Sequence, residues 1–199
     1  TRRSSDLFDQ QFPEDIAGEI SVRIISEGES MSRIAVIGTG YVGLVSGTCL
    51  SEFGHNVVCV DVDQNKIENL RRGISPIYEP GLELCLRRNQ TAGRLHFTTS
   101  AQKAVENAEI IFIAVGTPPQ EDGSADLHYV LQAAKTIAEY MNGDKIIVDK
   151  STVPVGTGQK VKKVIQEVLT KRDVPFTAEV VSNPEFLREG AALNDFMHP

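Results

Sequence analysis

Three closely spaced glycines, Gly38, Gly40 and Gly43, follow an apolar run and precede a predicted helix. Glycine at the first position permits a tight turn, at the second it lets the backbone approach a pyrophosphate, and at the third it lets helix and strand pack closely. The N–H groups at the helix start, around Tyr41 and Val42, have no partner within the helix and attract negative charge. Taken alone, the pattern fits equally well a turn that merely needs glycine.

An acidic residue, Asp61, ends the next predicted strand about twenty residues after the glycines, where a carboxylate can bind the ribose of a dinucleotide. The same carboxylate would repel the 2′-phosphate of NADP, so we expect NAD as the cofactor. We expect Asp63 to cap the helix that follows. Lys66, one turn further on, either reaches the adenosine side of the cofactor or is solvated.

Two threonines, Thr117 and Thr152, each follow the carboxyl end of a predicted parallel strand, the edge of a doubly wound sheet where ligands bind. Nearby prolines fix the backbone, so we expect both hydroxyls to face the cofactor crevice. The alternative is a pair of Thr-Pro turns without a ligand.

Glu185 and Glu189 are four residues apart, so a helix through this segment would place both carboxylates on one face. Carboxylates so placed repel each other unless a function requires them, which favours a catalytic or binding role. The alternative is the first turn of a helix, where acidic side chains interact favourably with the helix dipole.

Apolar, β-branched strands alternate with helices from residue 31 onward, and this spacing predicts a parallel sheet. We predict strands at Arg33–Gly38, Val57–Asp61, Glu109–Val115, Lys145–Asp149 and Ala178–Ser182. We predict helices at Val42–Phe53, at Asn65–Arg72, from a cap at Asp126 to about Asn142, and at Gly158–Thr170. The sequence therefore predicts an α/β fold, with a doubly wound, Rossmann-type and mostly parallel sheet and helices on both faces.

Residues 1–30 differ from the rest of the chain, because they hold seven acidic residues against three arginines and no helical apolar stripe. We interpret them as an acidic leader or tail, in which residues 21–25 could form a short edge strand. Residues 31–199 are then one NAD-binding Rossmann domain.

The composition of the 199 residues argues against several classes of protein. A net charge of −7 disfavours nucleic-acid binding, which needs clustered Lys and Arg. No apolar stretch approaches the ~18 residues of a membrane span and no secretory signal opens the chain, so we expect a cytoplasmic protein without membrane contact. The cysteines and histidines lack the spacing of a disulfide framework or a metal site, and Cys49 and Cys59 lie among apolar neighbours, as core residues would.

Four further segments contain more glycine, proline and polar residues than a connection demands: 76–82, 115–119, 150–156 and 183–190. They read Pro-Ile-Tyr-Glu-Pro-Gly-Leu, Val-Gly-Thr-Pro-Pro, Lys-Ser-Thr-Val-Pro-Val-Gly and Asn-Pro-Glu-Phe-Leu-Arg-Glu-Gly. In order and spacing they resemble the blocks of the UDP-glucose/GDP-mannose dehydrogenase family. The resemblance runs from Met31 to the last residue and is closest to the UDP-glucose branch, with the GDP-mannose branch as the nearest alternative.

This resemblance implies an NAD-dependent nucleotide-sugar dehydrogenase that oxidises C6 of UDP-glucose twice, through a thiol-bound aldehyde, and reduces two NAD⁺. It implies that Glu185 acts on the water and that Glu189 lies near the nicotinamide, and we expect Thr152 to handle the water together with Glu185. It further implies that the run from Glu185 to Glu189, which includes Phe186, Leu187 and Arg188, lines the UDP-sugar side. The full-length protein would form a homodimer or a larger oligomer.

The catalytic cysteine of the resembled family lies in a glycine-rich loop beyond the Asn-Pro-Glu-Phe block, and Cys49, Cys59 and Cys85 do not fit that loop. We therefore expect this chain to bind NAD as the N-terminal part of such an enzyme, with the C-terminal substrate domain absent. We do not expect it to turn over UDP-glucose alone. The alternative is a protein of a different class, a non-catalytic module that binds NAD for regulation.

Overall fold

Six short, β-branched runs form the sheet. The computed structural model describes residues 31–121 and 123–198, and the strands in them are β1 (Arg33–Ile37), β2 (Asn56–Val60), β3 (Leu95–Thr98), β4 (Ile110–Ile113), β5 (Lys145–Asp149) and β6 (Ala178–Ser182). Most residues of β1, β2 and β5 are buried, whichever face they occupy. This pattern is typical of parallel strands covered on both sides.

All six strands are parallel, in the order β3-β2-β1-β4-β5-β6, so the direction of winding reverses between β1 and β4. At the carboxyl ends, Ile37 pairs with Val60 and with Ile113. Asp149 pairs with Ile113 and with Ser182. The residues that follow these strands therefore meet at one edge, beside the switch point where such sheets bind ligands.

Helices cover both faces of the sheet. Within the described residues they are α1 (Tyr41–Glu52), α2 (Gln64–Arg71), α3 (Leu82–Thr91), α4 (Ala101–Asn107), α5 (His128–Tyr140), α6 (Thr157–Lys171) and α7 (Ala192–Met197). One core lies under α4, α5 and α6 and includes Val105, Ile137 and Ile165. The other lies under α1, α2, α3 and α7 and includes Leu44 and Leu86. The predicted fold class is confirmed.

The predicted elements agree with the observed bounds to within two residues, but the sequence pattern misses four elements. The edge strand β3 has four residues, and α4 and α7 have seven and six, so these elements carry little periodicity. In α3, an exposed Leu84 and a buried Asn89 interrupt the apolar stripe. As a result, the predicted third strand is the fourth strand of the fold.

The cap of α5 also differs from the prediction. The helix begins at His128, after Leu127, rather than directly after Asp126. The Asp126 Oδ1 accepts a hydrogen bond from the His128 N–H at 2.8 Å. Asp126 therefore still binds an amide of the first turn, from one position further out.

The predicted acidic leader, including its edge strand at 21–25, lies outside the described residues. The domain boundary at residue 31 therefore stays a prediction. Among the helices within 31–121 and 123–198, none is long and apolar enough to cross a membrane.

All three cysteines are free and buried, which confirms the expected core role of Cys49 and Cys59. Burial raises the pKa of Cys59 and of Cys85 to about 12, and it also raises the pKa of Cys49. Cys59 lies under α1, directly below Gly47. A Cβ at Gly47 would be 2.5 Å from the Cys59 sulfur, so no side chain fits there. Glycine thus allows α1 to pack closely on β2.

We expect Gly47→Ala to destabilise the fold by about 1–3 kcal/mol, because the added methyl group overlaps the Cys59 sulfur. In a Cys59→Ala background the loss should fall below about 1 kcal/mol, since the next atoms, on Val36 and Val57, lie at 3.6 and 3.7 Å. Urea unfolding of the four chains measures the coupling free energy. Equal losses in both backgrounds would show that Cys59 is not the obstacle.

Candidate functional site

The turn after β1 is closed by backbone contacts that leave no room for side chains at two glycines. Gly38 has a φ of +105°, and a Cβ there would be 2.4 Å from the Ala114 carbonyl oxygen, just after β4. A Cβ at Gly43 would be 2.1 Å from the Gly38 carbonyl oxygen. These two glycines therefore let α1 start directly at the edge between β1 and β4.

Gly40 is different, because nothing inside the protein requires glycine there. Its φ of −69° is ordinary for any residue, and a Cβ would meet no atom within 4 Å. Gly40 caps α1 without a side-chain hydrogen bond, and its carbonyl accepts from the Leu44 N–H at 2.9 Å. The amides of the first turn, including those of Tyr41 and Val42, are left for a partner outside the helix. This open surface beside helix amides fits the pyrophosphate of a dinucleotide.

Asp61 follows β2 and is held at the same edge. Its Oδ2 accepts hydrogen bonds from the Thr39 hydroxyl at 2.6 Å and from the Thr39 N–H at 3.0 Å. The Lys66 ammonium lies 3.0 Å from the same oxygen. The Oδ1 atom accepts from the Asp63 N–H at 3.1 Å. Oδ2 is thus saturated, whereas Oδ1 has the capacity for a further donor such as a ribose hydroxyl.

These donors also fix the charge of Asp61. Burial alone would raise the pKa of Asp61, but the hydrogen bonds from Thr39, Asp63 and Lys66 outweigh burial and lower the pKa. Asp63 caps α2, as expected, by accepting from the Lys66 N–H at 3.1 Å. The sequence pattern does not single out Thr39, which is 1% exposed and occupies a position that the glycine spacing leaves unspecified.

Hydrogen bonds join the loops that follow β4 and β5. The Thr117 hydroxyl donates to the Thr152 carbonyl at 2.9 Å, and the Ser151 hydroxyl donates to the Val115 carbonyl at 3.0 Å. The Thr117 hydroxyl therefore contacts the neighbouring loop, while Thr152 is exposed. Thr152 and Glu185 line one open cleft of about 640 Å³ beside the start of α6.

The segment that carries Glu185 and Glu189 is not helical, so the expectation that one helix face presents both carboxylates is wrong. Residues 183–188 form an irregular connection and residues 189–190 a turn. The Glu185 Oε2 accepts from the Leu187 N–H at 2.6 Å, a local bond that takes the place of a helical one. Pro184 and Gly190, which has a φ of +85°, bound the segment. Both glutamates stay predicted site residues, carried by a connection rather than by a helix.

The side chains between the two glutamates have different surroundings. Phe186 is 86% exposed, whereas Leu187 packs partly buried against the core under α1. The Arg188 guanidinium forms a two-point pair with Asp195 of α7, at 2.7 and 2.8 Å. That guanidinium is therefore engaged within the protein, and the exposed Phe186 is the side chain that offers free surface.

Lys150, directly after β5, is a buried cation to which sequence reasoning assigns no role. Its Nζ donates to the Asn183 Oδ1 at 3.0 Å and lies 5.8 Å from the centre of the Phe196 ring. Burial lowers the pKa of Lys150, and the Glu185 carboxylate opposes that shift. Lys150 thus anchors the residue that starts the connection to Glu185. The only signal in the sequence is its place at the head of the 150–156 block.

Tyr41 has two separate functions in the fold. Its backbone belongs to the first turn of α1, whereas its hydroxyl donates to the Glu79 Oε2 at 2.7 Å. Glu79 is buried in the 76–82 block, and sequence reasoning assigns no role to it. In the part of the chain that the structure describes, no group of three His, Cys, Asp or Glu residues could hold a metal ion.

Comparison with known proteins gives matches over most of the chain. The model of the UDP-glucose/GDP-mannose dehydrogenase family, NAD binding domain, matches residues 32–199. The UDP-glucose 6-dehydrogenase TuaD of Bacillus subtilis is 55% identical over 168 residues, which are 84% of this chain and 36% of that protein. The UDP-glucose 6-dehydrogenase of Rhizobium meliloti is 53% identical over 84% of this chain and 38% of that protein. The chain thus spans somewhat more than a third of the length of these curated relatives.

Two solved structures are similar in fold as well as in sequence. A UDP-glucose dehydrogenase from Pyrobaculum islandicum is 43% identical, with a TM-score of 0.81, over 88% of this chain and 40% of that chain. A GDP-mannose dehydrogenase from Pseudomonas aeruginosa is 40% identical, with a TM-score of 0.78, over 82% of this chain and 38% of that chain. Fold and sequence therefore point to the same group of proteins.

We expect Asp61→Asn to lower the free energy of unfolding by about 1–3 kcal/mol at pH 6, because the charge that Thr39 and Lys66 bind is removed. The pKa of Asp61 is lowered in the folded chain. Its stabilisation is therefore complete above the unfolded pKa of about 3.9 and is lost as the pH falls through the folded pKa. Chemical unfolding of both chains from pH 6 downward should show the difference shrinking below pH ~4. A difference that is independent of pH would contradict this electrostatic role.

Proposed function

The chain belongs to the UDP-glucose/GDP-mannose dehydrogenase family, to its NAD-binding domain, and on that premise we propose that it is the cofactor-binding part of an enzyme that oxidises UDP-glucose to UDP-glucuronate in two NAD-linked steps. The match covers residues 32–199, and the relatives that support the choice of substrate are 55% and 53% identical. The activity of the whole enzyme is inferred from them.

The start of α1 supports NAD binding most directly. Its amides and the positive end of its dipole face the open surface at Gly40, where we place the pyrophosphate. We assign the ribose to the Asp61 Oδ1, whose charge would repel the 2′-phosphate of NADP. Thr39 holds that carboxylate, and Lys66 stabilises its ionised form. NAD⁺ bound there would supply the acceptor for the hydride from C6 of the sugar.

We place the sugar nucleotide at the same edge, along residues 185–189 and the Thr152 loop. Thr152 and Glu185 line one cleft, so a water between them could be oriented by the hydroxyl and could give its proton to the carboxylate. Thr117 supports the loop by donating to the Thr152 carbonyl. Glu189, exposed at the end of the connection, is proposed to lie near the nicotinamide.

The remaining residues of this segment act on the substrate in different ways in our proposal. Phe186 presents its exposed ring to the sugar nucleotide. Leu187 and Arg188 contribute mainly through their backbone, because Leu187 packs against the core and the Arg188 guanidinium pairs with Asp195. The exposed aromatic ring and the backbone groups together offer both stacking and hydrogen bonds to a nucleotide sugar.

None of the three cysteines offers the thiol that the second oxidation needs. Each is buried, and burial raises its pKa, so a thiolate is not available at neutral pH. We therefore assign the nucleophile to a part of the enzyme outside these 199 residues. The curated relatives are long enough to supply one, since the chain spans only 36% and 38% of their lengths.

Two further expectations stay predictions. One is that the whole enzyme forms a homodimer or a larger assembly, and the other is that it has no nucleic-acid or membrane partner.

GDP-mannose is the second candidate substrate, because a GDP-mannose dehydrogenase shares 40% identity and a TM-score of 0.78 with this chain. UDP-glucose is favoured because the relatives at 55% and 53% identity are UDP-glucose 6-dehydrogenases. A non-catalytic NAD-binding module would use the same cofactor edge and would need neither Thr152 nor Glu185.

We expect Gly40→Ala to weaken NAD binding about tenfold or more, because the methyl group would occupy the surface that the pyrophosphate approaches. Thermal unfolding should change little, since the φ of −69° is ordinary and the methyl group meets nothing in the protein. Calorimetric titration of each chain with NAD measures the affinity.

Gly143→Ala is the matched control, because a Cβ there also meets nothing within 4 Å and the residue lies between α5 and β5, at the opposite edge of the sheet. It should leave stability and NAD affinity unchanged. Gly43→Ala should instead destabilise the fold, because its Cβ would overlap the Gly38 carbonyl. If Gly40→Ala binds NAD as tightly as the unmodified chain, the pyrophosphate does not lie at Gly40.

We also expect the 199-residue chain to bind NAD without producing NADH steadily when UDP-glucose is added, because its thiols are buried. The absorbance of NADH measures this. GDP-mannose in place of UDP-glucose tests the second substrate in the same assay. Steady NADH production with either sugar nucleotide would overturn the assignment of the nucleophile to another part of the enzyme.

A further inference from the structure

Glu79 is a buried carboxylate that has been given no role so far in binding cofactor or substrate. It lies in the loop before α3 and is 5% exposed. Its Oε2 accepts from the Tyr41 hydroxyl at 2.7 Å and from the Gly190 N–H at 2.8 Å, and its Oε1 accepts from the Ala192 N–H at 2.8 Å. Three segments that are distant in the sequence therefore meet at one side chain.

The charge of Glu79 is held without a counter-ion, because no lysine or arginine among residues 31–121 and 123–198 forms an ion pair with it. A buried charge of this kind is unfavourable unless hydrogen bonds replace its hydration. Burial alone would raise the pKa of Glu79, but the hydrogen bonds from Tyr41, Gly190 and Ala192 outweigh burial and lower it. An ionised carboxylate only accepts hydrogen bonds, so it holds all these donors at one place.

The donors lie next to the residues assigned to cofactor and substrate. Tyr41 directly follows Gly40 and is the first residue of α1, and Gly190 directly follows Glu189. Burial and Glu79 raise the pKa of the Tyr41 hydroxyl, and the charge of Glu189 adds to that shift. The same hydroxyl also contacts the Arg188 carbonyl at 3.3 Å. Any displacement of Glu79 therefore acts on the start of α1 and on the end of the 185–189 connection together.

We propose that Glu79 is a positioning residue that couples the cofactor loop to the nucleotide-sugar segment, so that NAD bound at the start of α1 holds the turn after Glu189 in place. This coupling rests on the proposed function, because it requires NAD at Gly40 and the sugar nucleotide along residues 185–189. The coupling acts equally in both directions, because by thermodynamic linkage each ligand changes the affinity for the other by the same factor.

Hydrogen exchange of single backbone amides in the 199-residue chain tests the proposal, because the Gly190 and Ala192 amides donate directly to Glu79. In the unmodified chain, saturating NAD should slow exchange at both amides. Glu79→Gln should speed their exchange about tenfold without NAD, since a charge-assisted bond is lost. It should also weaken NAD binding about fivefold, the lower end of typical coupling between sites. Faster exchange with unchanged NAD affinity would reduce Glu79 to a local structural role and overturn the coupling.

Glu83→Gln is the matched control for the loss of a carboxylate. Glu83 also accepts from a backbone amide, that of Ser75 at 3.0 Å, and it pairs with Arg87, so its partners lie in its own loop and helix. We expect this variant to keep both the NAD affinity and the exchange rates at Gly190 and Ala192. A change at Gly190 equal to that in Glu79→Gln would contradict a specific role for Glu79.

Tyr41→Phe keeps Glu79 and both amide bonds and removes the hydroxyl through which α1 contacts Glu79 and the Arg188 carbonyl. It therefore tests the coupling even if Glu79→Gln fails to fold. We expect exchange at Ala192 without NAD to stay the same and its slowing by NAD to disappear. Tyr78→Phe, which removes a hydroxyl from a side chain exposed in the same loop, should keep that slowing. If NAD still slows exchange in Tyr41→Phe, the coupling is wrong while the proposed function stands. If the unmodified chain does not bind NAD, the proposed function itself fails.

Discussion

The close approach between the turn after β1 and the residue after β4 is the constraint on which the whole binding edge depends. A side chain at Gly38 would overlap the Ala114 carbonyl, and one at Gly43 would overlap the Gly38 carbonyl. Without these two glycines, α1 could not start at the point where β1 and β4 lie side by side. Strand order then brings the loops after β2, β4, β5 and β6 around the same helix start.

An edge that binds an anionic cofactor would be expected to exclude carboxylates, yet this one carries several. Asp61 and Glu79 are tolerated there because each accepts hydrogen bonds from donors of the protein. Thr39 and Lys66 bind Asp61, and Glu79 accepts from Tyr41 and from two amides. These bonds fix each negative charge in place, whereas the positive end of the α1 dipole is left facing open surface. The α1 dipole that attracts an anion and the carboxylates that repel it therefore act at different places on this edge.

The sequence predicts what local pattern encodes and misses what depends on contacts across the chain. Strands β5 and β6 are predicted with their observed bounds because short, β-branched apolar runs in them stop at the polar residues Asp149 and Ser182. Gly40 and Asp61 are predicted as site residues because their spacing has a direct mechanical meaning. Thr39, Glu79 and Lys150 are missed because their partners lie 22 to 113 residues away, where no spacing rule applies. The segment that carries Glu185 and Glu189 is not helical, because a four-residue spacing alone does not make a helix.

The burial of the thiols has a further consequence, for chemistry carried out on the chain. Cys49, Cys59 and Cys85 lie on α1, β2 and α3, all in the half of the molecule that carries the cofactor loop. An alkylating reagent needs an exposed thiolate, so it can modify these residues only when that half opens. The rate of alkylation therefore measures how often the cofactor half opens, with no engineered label, and it does not report on the half built from α5 and α6.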